Sequence, residues 1–286
     1  MEVARSLGDI EIVTVDSMQV YRGMDVGTAK PTPDERAEVP HHLIDLADPS
    51  EEWSVTAWAR HARGVLEEIE ERGHRALVVG GTGMYFQALV DGLTPPGRYP
   101  DVRRELEDDA DTVALHGRLR SLDPLAASRM EPTNRRRVVR ALEVTIGSGR
   151  SFSSYGPGIT HFPPTARWRL AGVWLPRPVL ARRIDERFDA MISNGLVDEV
   201  RRLLAGLQAS GLSRTASQAL GYREILEHLQ GSTTLAHAVE EAKRRTRAFA
   251  RRQRVWWRRD PRITWFGAVD NPFAVSAVLL GQWREP

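Results

Sequence analysis

An acidic and a hydroxyl side chain follow directly on the first β-branched run of the chain. Residues Ile10 to Val15 form that run, and Asp16 and Ser17 come next. A carboxylate at the end of a strand can accept a proton from a reacting group or help to hold a hydrated magnesium ion. It can also simply cap the following helical turn. The residue types leave both interpretations of Asp16 open.

A second candidate for chemistry is the sequence Gly80-Gly81-Thr82-Gly83, which lies between an apolar run and a helical pattern. Backbone amides at such a helix start bind phosphate oxygens, and the Thr82 hydroxyl adds a donor. Small residues are equally what a tight strand-to-helix turn requires. An anion site and a purely structural turn are both consistent with these four residues.

Positive charge is concentrated near the end of the chain, although the net charge is only +2. The cations there are Lys243, Arg244, Arg245, Arg247, Arg251, Arg252, Arg254, Arg258 and Arg259. Helical spacing predicts two faces: Ala238, Ala242, Phe249, Gln253 and Trp256 toward the core, and Arg244, Arg247, Arg251, Arg254 and Arg258 mostly outside. Cations follow phosphates and tryptophans can stack on unpaired bases, so this surface fits an RNA partner. A solvated helix face with core tryptophans is the alternative.

Two neighbouring pairs of residues suggest further sites. His41 and His42 are adjacent, and adjacent strand residues point to opposite faces, so we expect a structural role and no shared metal site. Arg136 and Arg140 lie one helical turn apart and could bridge a phosphate, or Arg140 could pair with Glu143 on the surface. The spacing leaves this second pair undecided.

The elements that must carry these residues alternate in type. Five β-branched runs, mostly separated by helical patterns, predict an α/β fold with a parallel sheet flanked by helices. The runs are Ile10 to Val15, His42 to Leu46, Arg75 to Val79, Arg169 to Leu175 and Arg262 to Phe266. Ligands in such sheets bind beyond the carboxyl ends of the strands, so Asp16 and Thr82 are expected at one edge.

Strand signals stop between about Thr94 and Arg167. Helical pieces with Pro and Gly punctuation there predict a helical insertion domain over residues 96–167, within an α/β core formed by residues 1–95 and 168–286.

Two helices are predicted after the insertion. Leu180, Ile184, Phe188 and Met191 recur at helical spacing, Gly195 interrupts the pattern, and Leu196 to Leu207 resumes it.

Composition limits the kind of protein this is. Hydrophobic residues make up 41% of the 286 residues, which is enough for a large buried core. The absence of cysteine excludes disulfides, thiolate metal sites and cysteine nucleophiles, and it fits a reducing compartment. No apolar run reaches the roughly 18 residues of a membrane span, and no signal peptide is apparent. We therefore expect a cytoplasmic monomer with no membrane partner.

Several motifs resemble the tRNA dimethylallyltransferase (tRNA isopentenyltransferase) family in order and spacing, across nearly the whole chain. They are the runs Asp16 to Pro31, Val39 to Asp45, Gly80 to Tyr85, Arg136 to Val144, Ala219 to Glu224 and Phe249 to Gln253. The resemblance implies a sheet of the P-loop NTPase type. Prenyltransferases that act on free adenine nucleotides share the sheet motifs, so those motifs alone do not settle the acceptor.

The resemblance also implies a reaction and its residues. A dimethylallyl group would move from dimethylallyl diphosphate to the exocyclic amine of the adenosine next to the anticodon, assisted by Mg²⁺. Asp16 resembles the general base and is the candidate metal residue, Thr82 resembles the threonine that bonds the diphosphate or the target nucleotide, and Arg223 is a second diphosphate candidate. Contacts with the tRNA anticodon stem-loop are implied for Asp16, Ser17, Met18, Gln19, Thr82, Arg103, Arg136, Arg137, Val138, Val139, Arg140, Gln218, Ala219, Leu220, Gly221, Tyr222 and Arg223.

One part of the family pattern has no counterpart here. The family opens with the phosphate loop Gly-x-Thr-x-x-Gly-Lys-[Ser/Thr], which cradles the diphosphate, and this pattern occurs nowhere in the chain. The first seven residues instead resemble the last turns of a helix closed by Gly8. We therefore expect an N-terminal strand and phosphate loop to be missing, and little or no transferase activity from the chain as written.

Two other functions stay open at this point. A noncatalytic RNA-binding remnant would keep the basic helix without the donor site. A prenyltransferase acting on free adenine nucleotides would keep the sheet motifs, although a small acceptor needs no long basic surface.

Overall fold

The computed structural model describes residues 1–156, 158–165, 167–207 and 211–284. The chain divides into two compact units. The core unit comprises Met1–Val90 and Pro164–Pro286, and the helical unit comprises Asp91–Pro163. Pro157 and Ala166, which fall within the predicted insertion, lie outside the described residues. The domain boundaries inferred from the sequence, at 95/96 and 167/168, stay a prediction.

Strands and helices alternate in the core unit, and the helical unit has helices only among its described residues. The strands are β1 (Ile10–Val15), β2 (His41–His42), β3 (Arg75–Gly80), β4 (Ala171–Trp174) and β5 (Thr264–Gly267). The α-helices are α1 (Glu2–Leu7), α2 (Pro33–Glu38), α3 (Val55–Glu71), α4 (Gly83–Val90), α5 (Pro100–Asp108), α6 (Thr112–Leu122), α7 (Pro124–Ser128), α8 (Arg135–Ser148), α9 (Arg177–Ser193), α10 (Leu196–Leu207), α11 (Tyr222–Leu229), α12 (Leu235–Trp257) and α13 (Ser276–Arg284).

All the strand pairs are parallel. β1 lies between β2 and β3, and β4 pairs with β5 in a second sheet. β1 is buried from Glu11 to Val15, as expected for the central strand of a parallel sheet covered on both faces. The predicted α/β class with a parallel sheet flanked by helices is confirmed, although the described strands form two sheets where one was expected.

The predicted strand His42 to Leu46 is wrong beyond its first residue. β2 contains only His41 and His42, because Leu43 and Asp45 have φ angles of 65° and 57°, in the left-handed region that interrupts a strand. Leu43 is nevertheless buried at 3% exposure. A buried loop and a strand therefore look alike in sequence at this position.

The helices after the insertion are confirmed as predicted. Ile184, Phe188 and Met191 are the buried residues of α9, and Gly195 adopts a φ of 91° between α9 and α10. Helix α1 ends at Gly8, whose φ is 69°.

The main apolar core lies between the three-stranded sheet and the helices around it. Its largest members include Trp58, Tyr21 and Tyr222, all completely buried. The Trp58 and Tyr85 rings lie 4.9 Å apart between centroids, so α3 and α4 pack closely behind β3. This core fixes the end of β1 and the start of α11. Within the described residues, no helix combines the length and apolar character needed to span a membrane.

Glu11 is a buried carboxylate at the opposite end of β1 from Asp16. It accepts two hydrogen bonds from Arg72, at 2.9 and 2.8 Å, and lies 2.6 Å from His42 Nε2 and 2.8 Å from His74 Nδ1. These contacts join β2, the end of α3 and the start of β3 to β1. The Arg72 hydrogen bonds, with those of the two histidines, lower the pKa of Glu11 to about 2 despite its burial. His42 thus has a structural partner within the sheet.

Replacing Glu11 with Gln is expected to destabilise the protein by about 1–3 kcal/mol near neutral pH, because buried charged hydrogen bonds are lost. A folded-state pKa below the ordinary value of 4.5 means that this stabilisation is present above pH 4.5 and disappears as the pH falls toward 2. Urea unfolding of both proteins between pH 7 and about 3.5 should show the two curves converging in acid. Glu38→Gln, which removes an exposed carboxylate bonded to Arg5, is the control and should change little. A difference for Glu11→Gln that does not depend on pH would contradict this account.

The helical unit has its own apolar core. Leu119, Val138 and Leu142 are among its fully buried members. Asp123 accepts a hydrogen bond from the Ala126 amide and so caps α7, and Asn134 caps α8 through Arg137. The unit therefore contains the packing and capping that hold its helices together.

Candidate active site

Asp16 and Thr82 lie side by side at one edge of the three-stranded sheet. Asp16 follows the last residue of β1, and the Thr82 amide donates to the Val15 carbonyl at 3.3 Å. The Ser17 amide donates to Thr82 Oγ1, also at 3.3 Å. The carboxylate and the glycine-threonine turn thus meet at one edge of the sheet, as the direction of the parallel strands predicts.

The Asp16 carboxylate makes the capping contacts that were the structural alternative for it. Its Oδ1 accepts from the Met18 amide at 2.7 Å and from the Gln19 amide at 3.4 Å. In the described part of the chain, Oδ2 has no hydrogen-bond partner. One oxygen therefore holds the turn, and the other is free to meet a substrate.

Arg187 on α9 acts electrostatically on Asp16. Burial raises the pKa of Asp16, while the Met18 and Gln19 amides and the charge of Arg187 lower it. Burial also lowers the pKa of Arg187, against the charge of Asp16; its side chain remains exposed, but surrounding protein displaces part of its hydration. The two groups form no direct ion pair among the described contacts. A carboxylate with a raised pKa thus lies within the electrostatic influence of an arginine, as suits a base beside an anion site.

No motif in the sequence marks Arg187 as a site residue. It stands next to Phe188 and three positions after Ile184, and both of those residues are buried. A side chain at that position leaves the helix beside its core-facing stripe. Closeness to the buried stripe could have identified Arg187 from the sequence, because most other arginines of α9 lie further from that stripe.

The glycines of the turn are required by packing. A Cβ at Gly80 would overlap the Val15 backbone, one at Gly81 would overlap the Gln253 side chain, and one at Gly83 would overlap the Trp256 ring. Gln253 Nε2 also donates to the Gly81 carbonyl at 3.1 Å. Helix α12 therefore presses directly on the turn. The structural interpretation of the glycines holds, and it does not exclude anion binding by the first-turn amides of α4.

Comparisons with known proteins identify the family. The IPP transferase family model matches residues 19–260. The chain belongs to the IPP transferase family. The tRNA dimethylallyltransferase of Syntrophobacter fumaroxidans is 45% identical over 286 residues, covering 98% of this chain and 82% of the relative. That of Geobacter metallireducens is 44% identical over 283 residues, covering 98% and 90%.

Solved structures of the family share the fold. The tRNA isopentenylpyrophosphate transferase of Bacillus halodurans has a TM-score of 0.67 and 37% identity, over 99% of this chain and 91% of that one. A eukaryotic dimethylallyltransferase acting on tRNA has a TM-score of 0.73 and 25% identity, over 99% and 71%. The resemblance drawn from the motifs is confirmed, and so is the prediction of a prenyl-transferring enzyme.

The remaining residues of the Asp16 turn are partly used within the protein. The Gln19 side chain donates to the Thr28 carbonyl at 2.9 Å, and Met18 packs against the main core. Ser17 is half-buried beside Thr82. Contacts of Ser17, Met18 and Gln19 with RNA stay a prediction.

The segment Gln218 to Arg223 mixes exposed and buried residues. Gln218 and Arg223 are exposed, and Arg223 Nε donates to Glu227 at 3.1 Å. Ala219 and Tyr222 are buried at 3% and 0% exposure, and Leu220 is half-buried. Gly221, with a φ of 90°, is the N-cap of α11. Any RNA contact by the buried residues would have to use the backbone.

In the helical unit, a buried carboxylate organises the predicted arginines. Glu143, at 2% exposure, accepts from Arg140 Nη1 at 2.7 Å, from Arg103 Nη1 at 3.3 Å and from the Tyr99 amide at 2.9 Å. The pairing of Arg140 with Glu143 is therefore buried at the carboxylate. Arg136 and Arg137 are exposed and have no carboxylate partner among the described residues, whereas Val138 and Val139 belong to the unit's core.

The cations of α12 and of the two residues that follow it fall into two groups. Those from Lys243 to Arg247 have carboxylate partners: Lys243 with Asp189, Arg244 with Glu241, Arg245 with Glu224, and Arg247 with Asp185. Arg251, Arg252, Arg258 and Arg259 are exposed and, in the part of the chain described, lack such partners. Arg251, Arg252 and Arg259 border an open depression of about 420 Å³ floored by Val255 and Trp256. The second group therefore presents cations whose charge is not offset by a neighbouring carboxylate.

The predicted core face of α12 is partly wrong. Ala238 and Ala242 are buried, but Phe249 is 38% exposed. Beyond Ala242 the helix packs on the glycine turn through Gln253 and Trp256, so Phe249 lies to one side, where the Arg252 guanidinium covers its ring at 5.6 Å. Arg247 and Arg254 are half-buried, and Arg254 lies 3.0 Å from the centroid of the Trp174 ring.

A magnesium ion fits this site only together with a substrate phosphate. No cluster of three or more His, Asp or Glu side chains suited to a metal occurs among the described residues. Mg²⁺ commonly keeps several waters and binds one or two carboxylates plus substrate phosphates. The free Oδ2 of Asp16 can supply one such ligand.

Proposed function

We propose that this protein transfers a dimethylallyl group from dimethylallyl diphosphate to the exocyclic amine of the adenosine adjacent to the anticodon in tRNA. Two relatives, of whose length this chain covers 82% and 90%, are tRNA dimethylallyltransferases. The observation that carries the proposal is the meeting of Asp16 and Thr82 at one sheet edge, with Arg187 acting on the carboxylate.

In the proposed reaction the carbon–oxygen bond to the diphosphate breaks, and a carbon–nitrogen bond to the adenine amine forms. The proton released by the amine goes to Asp16, whose raised pKa suits it as an acceptor. The electron pair leaves with the diphosphate, whose growing charge Arg187 and the Thr82 hydroxyl stabilise. Arg223 already donates a hydrogen bond to Glu227. Arg187 is therefore the stronger candidate for binding the diphosphate. Magnesium, when bound, would neutralise more of the diphosphate charge.

The acceptor is proposed to be RNA because of the unpaired cations of α12. A base must leave its stack before its amine can react, and this is easiest in a loop such as the anticodon loop. Arg251 and Arg252 stand beside exposed Val255 and the Trp256 ring, a combination that suits phosphates and splayed bases.

Replacing Arg251 and Arg252 together with Gln is expected to weaken anticodon stem-loop binding by about tenfold and to reduce the slope of log affinity against log salt by about 1.5, because two phosphate contacts are lost. Fluorescence titration at several salt concentrations measures both quantities. Arg244→Gln is the matched control, since Arg244 is exposed on the same helix but paired with Glu241. Equal losses of RNA affinity from the two variants would contradict the assignment of RNA binding to the unpaired cations of α12.

The expectation of low activity from the 286 residues, in which the phosphate-loop pattern does not occur, stays a prediction. The test is to incubate the chain, alone and extended at its N-terminus by a phosphate-loop segment, with dimethylallyl diphosphate, Mg²⁺ and tRNA, and to measure prenylated nucleoside by mass spectrometry. Normal turnover by the 286 residues alone would overturn the expectation of impairment. Binding of the stem-loop without product, even after extension, would favour a noncatalytic RNA-binding protein. Prenylation of free adenine nucleotide in preference to tRNA would favour the small acceptor.

A further inference from the structure

Glu199, in the first turn of α10, is a buried carboxylate whose hydrogen-bonding capacity is fully used. It is 4% exposed. Its Oε2 accepts from the amides of Asp25 and Val26 at 3.0 and 2.8 Å. Its Oε1 accepts from the Gly27 amide at 3.2 Å and from the Tyr222 hydroxyl at 2.5 Å. A buried carboxylate with four donors is well stabilised, and its removal leaves buried amides without an acceptor.

Three of these donors belong to the segment that begins at Asp16. Residues 16–31, here called the Asp16 loop, are closed on themselves by two side chains. Gln19 Nε2 donates to the Thr28 carbonyl at 2.9 Å, and Lys30 Nζ donates to the Tyr21 carbonyl at 2.5 Å and to Asp25 at 2.7 Å. The far end of the Asp16 loop is therefore coupled to the turn that holds the Asp16 carboxylate.

The fourth donor belongs to α11. The Tyr222 ring packs directly on the backbone of Gly27, where any Cβ would overlap it. The pKa of Tyr222 is raised by burial and by the charge of Glu199, so the phenol stays protonated and continues to donate. Tyr222 immediately precedes the exposed Arg223.

We infer that Glu199 is a positioning residue that holds the Asp16 loop and the Gln218–Arg223 segment in one arrangement, so that a nucleotide bound by both is placed against Asp16. This inference rests on the proposed function. Glu199 touches neither substrate nor Asp16 and acts through the backbone of Asp25, Val26 and Gly27. Tyr222 then serves as an anchor for the loop instead of an RNA contact.

The test uses the full chain and an anticodon stem-loop RNA with 2-aminopurine in place of the target adenosine. Fluorescence anisotropy gives the dissociation constant, and the rise in 2-aminopurine emission reports that the base has left its stack. Wild-type protein is expected to bind and to raise the emission. Glu199→Gln, which replaces an acceptor oxygen by an NH₂ donor facing backbone amides, is expected to bind through the arginine surface but to lose most of the emission rise. Asp198→Asn, next to Glu199 but exposed and paired with Arg201, is the control and should behave as wild type.

The outcomes separate this inference from the function on which it rests. No RNA binding by the wild type would overturn the proposed function and the inference with it. A full emission rise from folded Glu199→Gln would overturn the inference alone. If Glu199→Gln fails to fold by circular dichroism, Tyr222→Phe decides: it removes one of the four donors, and an emission rise equal to that of the wild type would overturn the inference.

Discussion

Replacing Asp16 with Asn is expected to lower the rate of prenyl transfer by about 10²–10⁴-fold, the usual contribution of a positioned general base. Asn keeps an oxygen that can accept from the Met18 and Gln19 amides, but it cannot take a proton from the adenine amine. The measurement is single-turnover transfer by the phosphate-loop-extended chain, with RNA affinity followed in parallel. RNA affinity should change little, since the Asp16 turn keeps its geometry.

Asp16→Ala separates the two roles of this residue. Ala removes both the base and the cap, so it should lose as much rate as Asn and, in addition, about 0.5–2 kcal/mol of stability. If Asp16 only caps the turn, the Asn variant will be active and the Ala variant impaired. That pattern would exclude Asp16 as the base.

Replacing Arg187 with Gln is expected to lower transfer by about 10²–10³-fold, the range seen when one group that stabilises developing negative charge is lost. The guanidinium also lowers the pKa of Asp16. Its removal should therefore raise the pKa of Asp16. Asp16 then keeps its proton up to a higher pH, so the acid limb of the pH–rate profile should move to higher pH. Single-turnover rates across pH measure both effects.

Arg183→Gln provides the matched control for Arg187. Arg183 lies one turn earlier on α9, is exposed, and has no ionic partner in the described part of the chain. Its loss should leave the rate and the pH profile unchanged. Equal effects from the two substitutions would show that α9 contributes only general positive charge.

The sequence was sufficient to predict those parts of the site that depend on local pattern and on strand direction. The run ending at Val15 and the run ending before Gly80 could be placed in one parallel sheet, so Asp16 and Thr82 had to share an edge. The helical spacing of Ile184 and Phe188 similarly predicted α9. These features depend on residues close together in the chain or on a general rule of sheet topology.

The features that the sequence did not reveal depend on contacts between distant segments. The pairing of α12 cations depends on Asp185, Asp189 and Glu224 from other helices, which spacing within α12 cannot show. The contacts of Glu199 join three segments. The shortness of β2 depends on left-handed residues at Leu43 and Asp45, where an apolar loop has the same composition as a strand.

The most direct test of the account is the position of the prenyl group on tRNA treated with the phosphate-loop-extended chain, dimethylallyl diphosphate and Mg²⁺. Mass spectrometry of nuclease fragments locates the modified base. The wild type is expected to leave a dimethylallyl group on the amine of the adenosine beside the anticodon, and Asp16→Asn is expected to leave almost none. Equal modification by both proteins, or modification elsewhere in the tRNA, would contradict it.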